Sequence, residues 1–238
     1  MSSPIWTAAA LSFETRPYAG TAWRLVEAQH VVSTQALVDT LDEQAALEAL
    51  LERTKPPVPS ECRHLDYLLY TPFRYGSYPR GSRFRKAGRT PGVFYAAEHV
   101  ETAVAETAHY RMLFYRDAPG VSPPQQPAQF TAISVVLETE SALDLTAPPL
   151  DRDTRLWTDP DDYSACQDFA DTARAANANL IRYQSVRDPA ARANLAVLTC
   201  ACFAEAAPSG RQSWHIRATA SRAWTTCEHP RQALEFGD

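Results

Sequence analysis

No stretch of this sequence approaches the roughly 20 consecutive apolar residues that a membrane span needs, so none is expected. Met1 to Pro17 lacks a basic start and a long apolar run, which argues against a secretory signal. Glycine-rich phosphate loops are missing too: neither GxGxxG nor GxxxxGK[ST] occurs, which excludes the usual dinucleotide and P-loop folds. Excess positive charge is also absent. A net charge of −5 excludes wrapping of nucleic acid by overall electrostatics. The 5 cysteines (Cys62, Cys166, Cys200, Cys202 and Cys227) contain no CxxC pair. Cys200 and Cys202, expected on a strand, share a face without a partner pair. This scatter predicts reduced thiols in the cytoplasm and no metal site.

What is present fits a globular domain. Of 238 residues, 45% are hydrophobic and 21% charged, enough for one large core. No internal repeat or long low-complexity segment occurs. Thr21 to Val32 reads as a strand, and Ser33 or Thr34 as the cap of a helix reaching about Arg53. Lys55-Pro-Pro-Val-Pro stops it, because proline lacks the amide donor. Further strands are expected at Tyr67–Tyr70, Gly92–Ala96, Phe130–Leu137, Leu180–Gln184, Leu195–Phe203 and Ser213–Ala218. Helices are expected from about Glu98 to Phe114 and from Asp159-Pro160 to about Asn177. The mixture predicts an α+β fold, a split sheet with flanking helices.

Charge is unevenly spread. From Tyr67 to Ala97 there is no acidic residue, yet Arg74, Arg80, Arg83, Arg85, Lys86 and Arg89 fall there among four glycines. Guanidinium forks pair bidentately with phosphate oxygens, and glycines let backbone amides approach an anion. The run therefore suits a pyrophosphate. It equally suits a solvated loop or a contact for an acidic partner. Glu106 follows on the next helix, beside apolar neighbours at helical spacing. There its carboxylate either stabilises positive charge developing on a sugar or forms a surface salt bridge with His109 or Arg111. Tyr95 ends the preceding strand, and Ser185 ends another; alone, each is equally a core tyrosine and a loop serine.

In order, Trp23-Arg24, Gly81-Ser82-Arg83-Phe84, Gly92-Val-Phe-Tyr95, Ala103-Val-Ala-Glu106 and Tyr183-Gln-Ser185-Val resemble the RES domain, a family named for its arginine, glutamate and serine. The resemblance spans about Thr21 to Phe203. Ser82 replaces the family's second glycine, and Phe84-Arg85 replaces its Trp-Asn. The implied organisation is an N-terminal extension over 1–20, a catalytic domain over 21–218 with a helical insert at about 33–60, and a C-terminal tail over 219–238.

The resemblance implies an ADP-ribosyltransferase-like split β core around an NAD⁺ cleft. It implies a toxin of a toxin–antitoxin pair that cleaves the nicotinamide–ribose bond of NAD⁺ by hydrolysis or phosphorolysis, with NAD⁺ as substrate and no prosthetic group. Arg83 would clamp the pyrophosphate, with Arg24 or Arg74 as a second cation. Ser82 would lie in the same phosphate loop, and Ser185 would hold a ribose or phosphate oxygen. Tyr95 would stack on nicotinamide or its ribose, and Glu106 would stabilise the oxocarbenium-like state. The implied partner is an Xre-like helix-turn-helix antitoxin that occludes the cleft, in a complex that allows a homo-oligomer. Protein ADP-ribosylation, or a binding module without catalysis, are the alternatives.

Overall fold

The computed structural model describes residues 6–27, 37–75, 79–88, 91–118 and 120–237. Its frame is one mixed sheet organised around a long strand. β3 (Ala128–Asp144) is rich in β-branched and apolar residues. One of its edges pairs antiparallel with β1 (Arg16–Glu27), from Glu27 against Phe130 to Tyr18 against Thr139. The other edge is split. Its first half pairs with β6 (Gly210–Ala218), and its last residues run parallel to β4 (Leu180–Gln184).

β4 continues to β5 (Ala193–Val197) and then to β2 (Phe94–Ala97). β2 returns to β1 through Trp23 opposite Ala97, so these strands form a closed cycle. From β6 the sheet extends outward through β7 (Arg222–Cys227) and β8 (Gln232–Gly237). The α+β class and the β core with flanking helices are therefore what the sequence leads one to expect.

Helices cover the sheet wherever apolar side chains project. α1 is Ala8–Glu14, α2 Leu41–Thr54, α3 Tyr67–Arg74, α4 Val100–Asp117, α5 Thr154–Trp157 and α6 Ser164–Ala175. Val100 and Val104 of α4 pack on Phe130, Trp214 and Ile216. α6 buries Cys166, Phe169, Ala170 and Ala173 against Leu143, Ile181 and Trp157. α3 contributes Leu69 and Phe73 to a cluster with Phe94, Leu195 and Phe203. α2 buries none of its residues. Among the described residues no helix is long and apolar enough to cross a membrane.

Several elements differ from expectation. Tyr67–Tyr70 belongs to helix α3, not a strand. Asp66 caps it, accepting from Leu68 N at 2.8 Å, and a short apolar run is ambiguous by period alone. Asp159 does not start a helix. Its Oδ1 accepts from Asp161 N and Asp162 N in a local turn that competes with helix formation, so α6 starts at Ser164.

β5 ends at Val197, and Cys200–Cys202 forms a 3₁₀ turn where a strand is expected. Cys200 is disulfide-bonded to Cys62, with Cα atoms 5.4 Å apart, so the cysteines are not all free thiols. Spacing could not reveal a pair separated by 138 residues. Cys166, Cys202 and Cys227 are free and buried.

Residues 219–238, expected as a tail, hold β7 and β8, both in the sheet. Residues 6–20 of the expected N-terminal extension are likewise part of the packed structure: α1 buries Leu11 completely, and β1 begins at Arg16. α2 is described from Leu41, with a capping box between Thr40 and Glu43. The expected caps Ser33 and Thr34, and the end of the first strand through Val32, lie outside the described residues.

Candidate active site

Phe84 and Val93 enter the core beneath α6, and this draws the glycine-rich loop against the end of β2. Ser82 and Arg85 bond to each other through both backbone groups, at 2.8 and 3.1 Å, so Arg83 and Phe84 form the tip of a tight turn. Gly81 sits tightly at its base. A Cβ there would lie 3.0 Å from both the Arg85 carbonyl oxygen and Gln167 Nε2. Tyr95 locks the turn from β2: its hydroxyl bonds Ser82 Oγ at 2.8 Å and accepts from Phe84 N at 3.0 Å. Burial pushes the Tyr95 phenol pKa up despite these bonds.

Beside this turn is a cavity of about 400 Å³. It brings together Arg24, Ser82, Arg83, Tyr95 and Glu106, which the sequence spreads over more than eighty positions. Arg83 is 7% exposed. Its Nη1 donates to the Trp157 carbonyl at 2.8 Å, and its guanidinium lies 4.4 Å from the ring centroid of Tyr163. Burial opposes its charge, but the Cys166 thiol and the Tyr183 and Tyr163 phenols outweigh this and leave its pKa raised. Arg24 donates to the Tyr95 carbonyl at 2.8 Å and stacks over Phe94. Burial pushes its pKa down to about 10, so it stays charged at neutral pH as a partly desolvated cation. Such a cation gains most from an anion.

Glu106 projects from α4 and lines the same cavity. Its Oε1 accepts two hydrogen bonds, from Ser185 Oγ and from Asn194 Nδ2, both at 2.6 Å. No hydrogen bond engages Oε2 among the described residues, and the carboxylate faces the cavity with that oxygen available. A salt bridge with Arg111 is ruled out, because Arg111 pairs with Glu27 at 2.5 Å.

Two expected ligand residues are placed elsewhere. Ser185 is 1% exposed and does not line the cavity. Its oxygen accepts from Arg187 N and Asp188 N while its hydrogen goes to Glu106, so the hydroxyl is fully used in holding the carboxylate. Arg74 is buried on α3, paired with Glu52 at 2.5 Å and bonded to the Pro56 carbonyl. It ties α2 to α3 and is not a second cation of this cavity.

Other lining residues were given no role from the sequence: Asn194, Tyr110, Tyr163, Tyr183 and Arg187. Asn194 carried a signal, as the only polar side chain in the otherwise apolar strand Ala193–Val197, buried at 3% exposure. A buried amide is retained where it has a partner. Among the described residues no group of three or more His, Cys, Asp or Glu is placed to hold a metal ion.

A cavity lined by three arginines, four tyrosines and an oriented carboxylate thus lies on an α+β core. The chain belongs to the RES domain family, whose model matches residues 58–219, more than half of its length. That span holds the Arg83 turn, Tyr95, Glu106 and Ser185, while Arg24 lies before it. No curated protein matches the chain. Among solved structures, a chain in the crystal structure of the M. tuberculosis MbcT–MbcA toxin–antitoxin complex is similar. It is 15% identical with a TM-score of 0.45, over 95% of this chain and 92% of that one.

Proposed function

We propose that the protein is an enzyme that cleaves the bond between nicotinamide and ribose in NAD⁺, serving as the toxin of a toxin–antitoxin pair. The observation that carries this reading is the carboxylate of Glu106, held through one oxygen by Ser185 and Asn194, in one cavity with Arg24 and Arg83. Arg83 and Arg24 pair with the pyrophosphate. Tyr95, whose hydroxyl is committed to Ser82 and Phe84, offers its ring to nicotinamide or the ribose.

When the C1′–N bond breaks, its electron pair moves onto the pyridinium nitrogen, and nicotinamide departs neutral. Positive charge spreads over C1′ and the ring oxygen of the ribose. A preorganised carboxylate stabilises that charge without reorganising at the moment of reaction. Water or phosphate then bonds to C1′ through an oxygen lone pair, and attacking water loses its proton to solvent. NAD⁺ is the substrate in this scheme, and no prosthetic group is invoked.

Transfer to a protein side chain is the second reading. A cleft of about 550 Å³ adjoins the cavity at Tyr110, Tyr163 and Arg187, which favours a bulkier acceptor than water. The partner in either case is an Xre-like helix-turn-helix antitoxin that covers the cleft, in an assembly able to hold more than one copy of this chain.

Incubating purified protein with NAD⁺, with and without phosphate, and identifying the products tests the proposal. Free nicotinamide with ADP-ribose or its 1-phosphate is expected. NAD⁺ that binds but stays intact would make this a binding module.

A further inference from the structure

A second cavity of about 490 Å³ adjoins the candidate cavity, and the two share Arg24, Gly81, Ser82 and Tyr95 as lining residues. A dinucleotide whose pyrophosphate lies at that shared wall extends its other half into this space. The chemistry there is one-sided. Arg24, Arg80 and Arg85 line it, Tyr67 and Tyr75 add aromatic surface, and among the described lining residues there is no carboxylate.

Arg85 is fixed by donating to the Tyr75 carbonyl at 2.6 Å, and Arg24 by donating to the Tyr95 carbonyl. Arg80 is exposed at the rim and has no ion pair among the described residues. In Rossmann-type folds a carboxylate meets the adenosine 2′-hydroxyl of NAD and an arginine accommodates the 2′-phosphate of NADP; the underlying charge pairing applies equally to an arginine-lined pocket without a carboxylate. We propose that this second cavity takes the adenosine half of the substrate with a phosphate on its 2′-oxygen, so that NADP⁺ is preferred over NAD⁺. Arg80 pairs with that phosphate. The inference rests on the dinucleotide-cleavage reading above.

Two measurements test it. The first compares nicotinamide release from NAD⁺ and NADP⁺ by the wild type and by Arg80→Ala. A kcat/KM ratio favouring NADP⁺ by about 10-fold or more is expected, from one charge-assisted pair, and Arg80→Ala should collapse most of that ratio. Cleavage of NAD⁺ as fast as NADP⁺, or a ratio indifferent to Arg80, overturns the inference and leaves the cleavage reading standing.

The second is calorimetric binding of adenosine 2′,5′-bisphosphate against adenosine 5′-monophosphate. It judges the pocket even if neither dinucleotide is cleaved, an outcome that would sink the cleavage reading alone. Tighter binding of the bisphosphate, lost in Arg80→Ala, supports the pocket. Equal binding of the two contradicts it.

Discussion

Asn194 donates its side-chain amide to Oε1 of Glu106 at 2.6 Å, the same oxygen that receives the Ser185 hydroxyl. The register makes this possible. Asn194 stands opposite both Ala97 of β2 and Tyr183 of β4, so the cycle of strands presents it beside α4. Two donors converging on one oxygen fix the carboxylate's rotation and leave the other oxygen for the ligand.

Ser185→Ala and Asn194→Ala should therefore lower kcat by about 10-fold each with little change in KM, since hydrogen bonds to charged groups contribute roughly 1.5–3 kcal/mol. The double variant should lose less than the product, because both act on one atom. Steady-state kinetics on folded variants check this. Unchanged kcat in both would detach Glu106 from the reaction.

Arg83→Ala should raise KM steeply and also lower thermal stability. The guanidinium bonds the Trp157 carbonyl and stacks on Tyr163, so its removal leaves that buried carbonyl only the weak Cys166 thiol as donor, at a cost of about 1–3 kcal/mol. Arg83→Lys restores charge but not the planar fork, and should recover only part of both. Melting curves and KM read together decide it; wild-type KM in Arg83→Ala takes the residue out of the ligand site.

Much of this site was legible because its chemistry is local. The basic turn, Tyr95 and Glu106 each sit in a short ordered motif, and the cavity assembles them. Ser185 was visible as a residue but not in its role, because which way a hydroxyl donates depends on its folded neighbours. Arg74 illustrates the same limit. In sequence it is one more cation in an acid-free run, and only the folded chain brings Glu52 of α2 to it. The last two strands were hidden differently. β7 and β8 do alternate buried and half-exposed with exposed residues, but each is only six residues long and follows what looks like the end of the domain.

Gly92→Ala should be among the most damaging small substitutions. A Cβ at this position would lie 1.8 Å from the Pro72 carbonyl oxygen, so α3 and the start of β2 would have to separate. Overpacking costs about 1–3 kcal/mol and occasionally more, and a clash with backbone belongs at the upper end. Chemical denaturation checks this, and a variant within about 0.5 kcal/mol of wild type would contradict the close approach.

Acid should loosen the loop that holds Ser185. Asp188, which accepts from Thr102 Oγ1 at 2.6 Å and pairs with Arg192 at 2.7 Å, has its pKa lowered to about 2. Burial works against the charge, but the hydrogen bonds of Arg192 and Thr102 outweigh it. A carboxyl depressed on folding stabilises above its unfolded value, near 3.8, and loses that contribution as pH falls toward 2. The stabilisation at neutral pH is roughly 2 kcal/mol. Asp188→Asn should thus be less stable than wild type at pH 7, with the gap narrowing between pH 4 and 2. A gap independent of pH across that window would contradict the assignment.

The most direct test of the account is the rate of nicotinamide release by Glu106→Gln. Glutamine keeps the size, the helix propensity and an acceptor for Ser185, but it removes the charge. Because that charge acts on the transition state, kcat should fall by about 10²–10³-fold while KM stays within about 3-fold of wild type. A folded Glu106→Gln protein that releases nicotinamide within a few-fold of the wild-type rate would contradict the central claim.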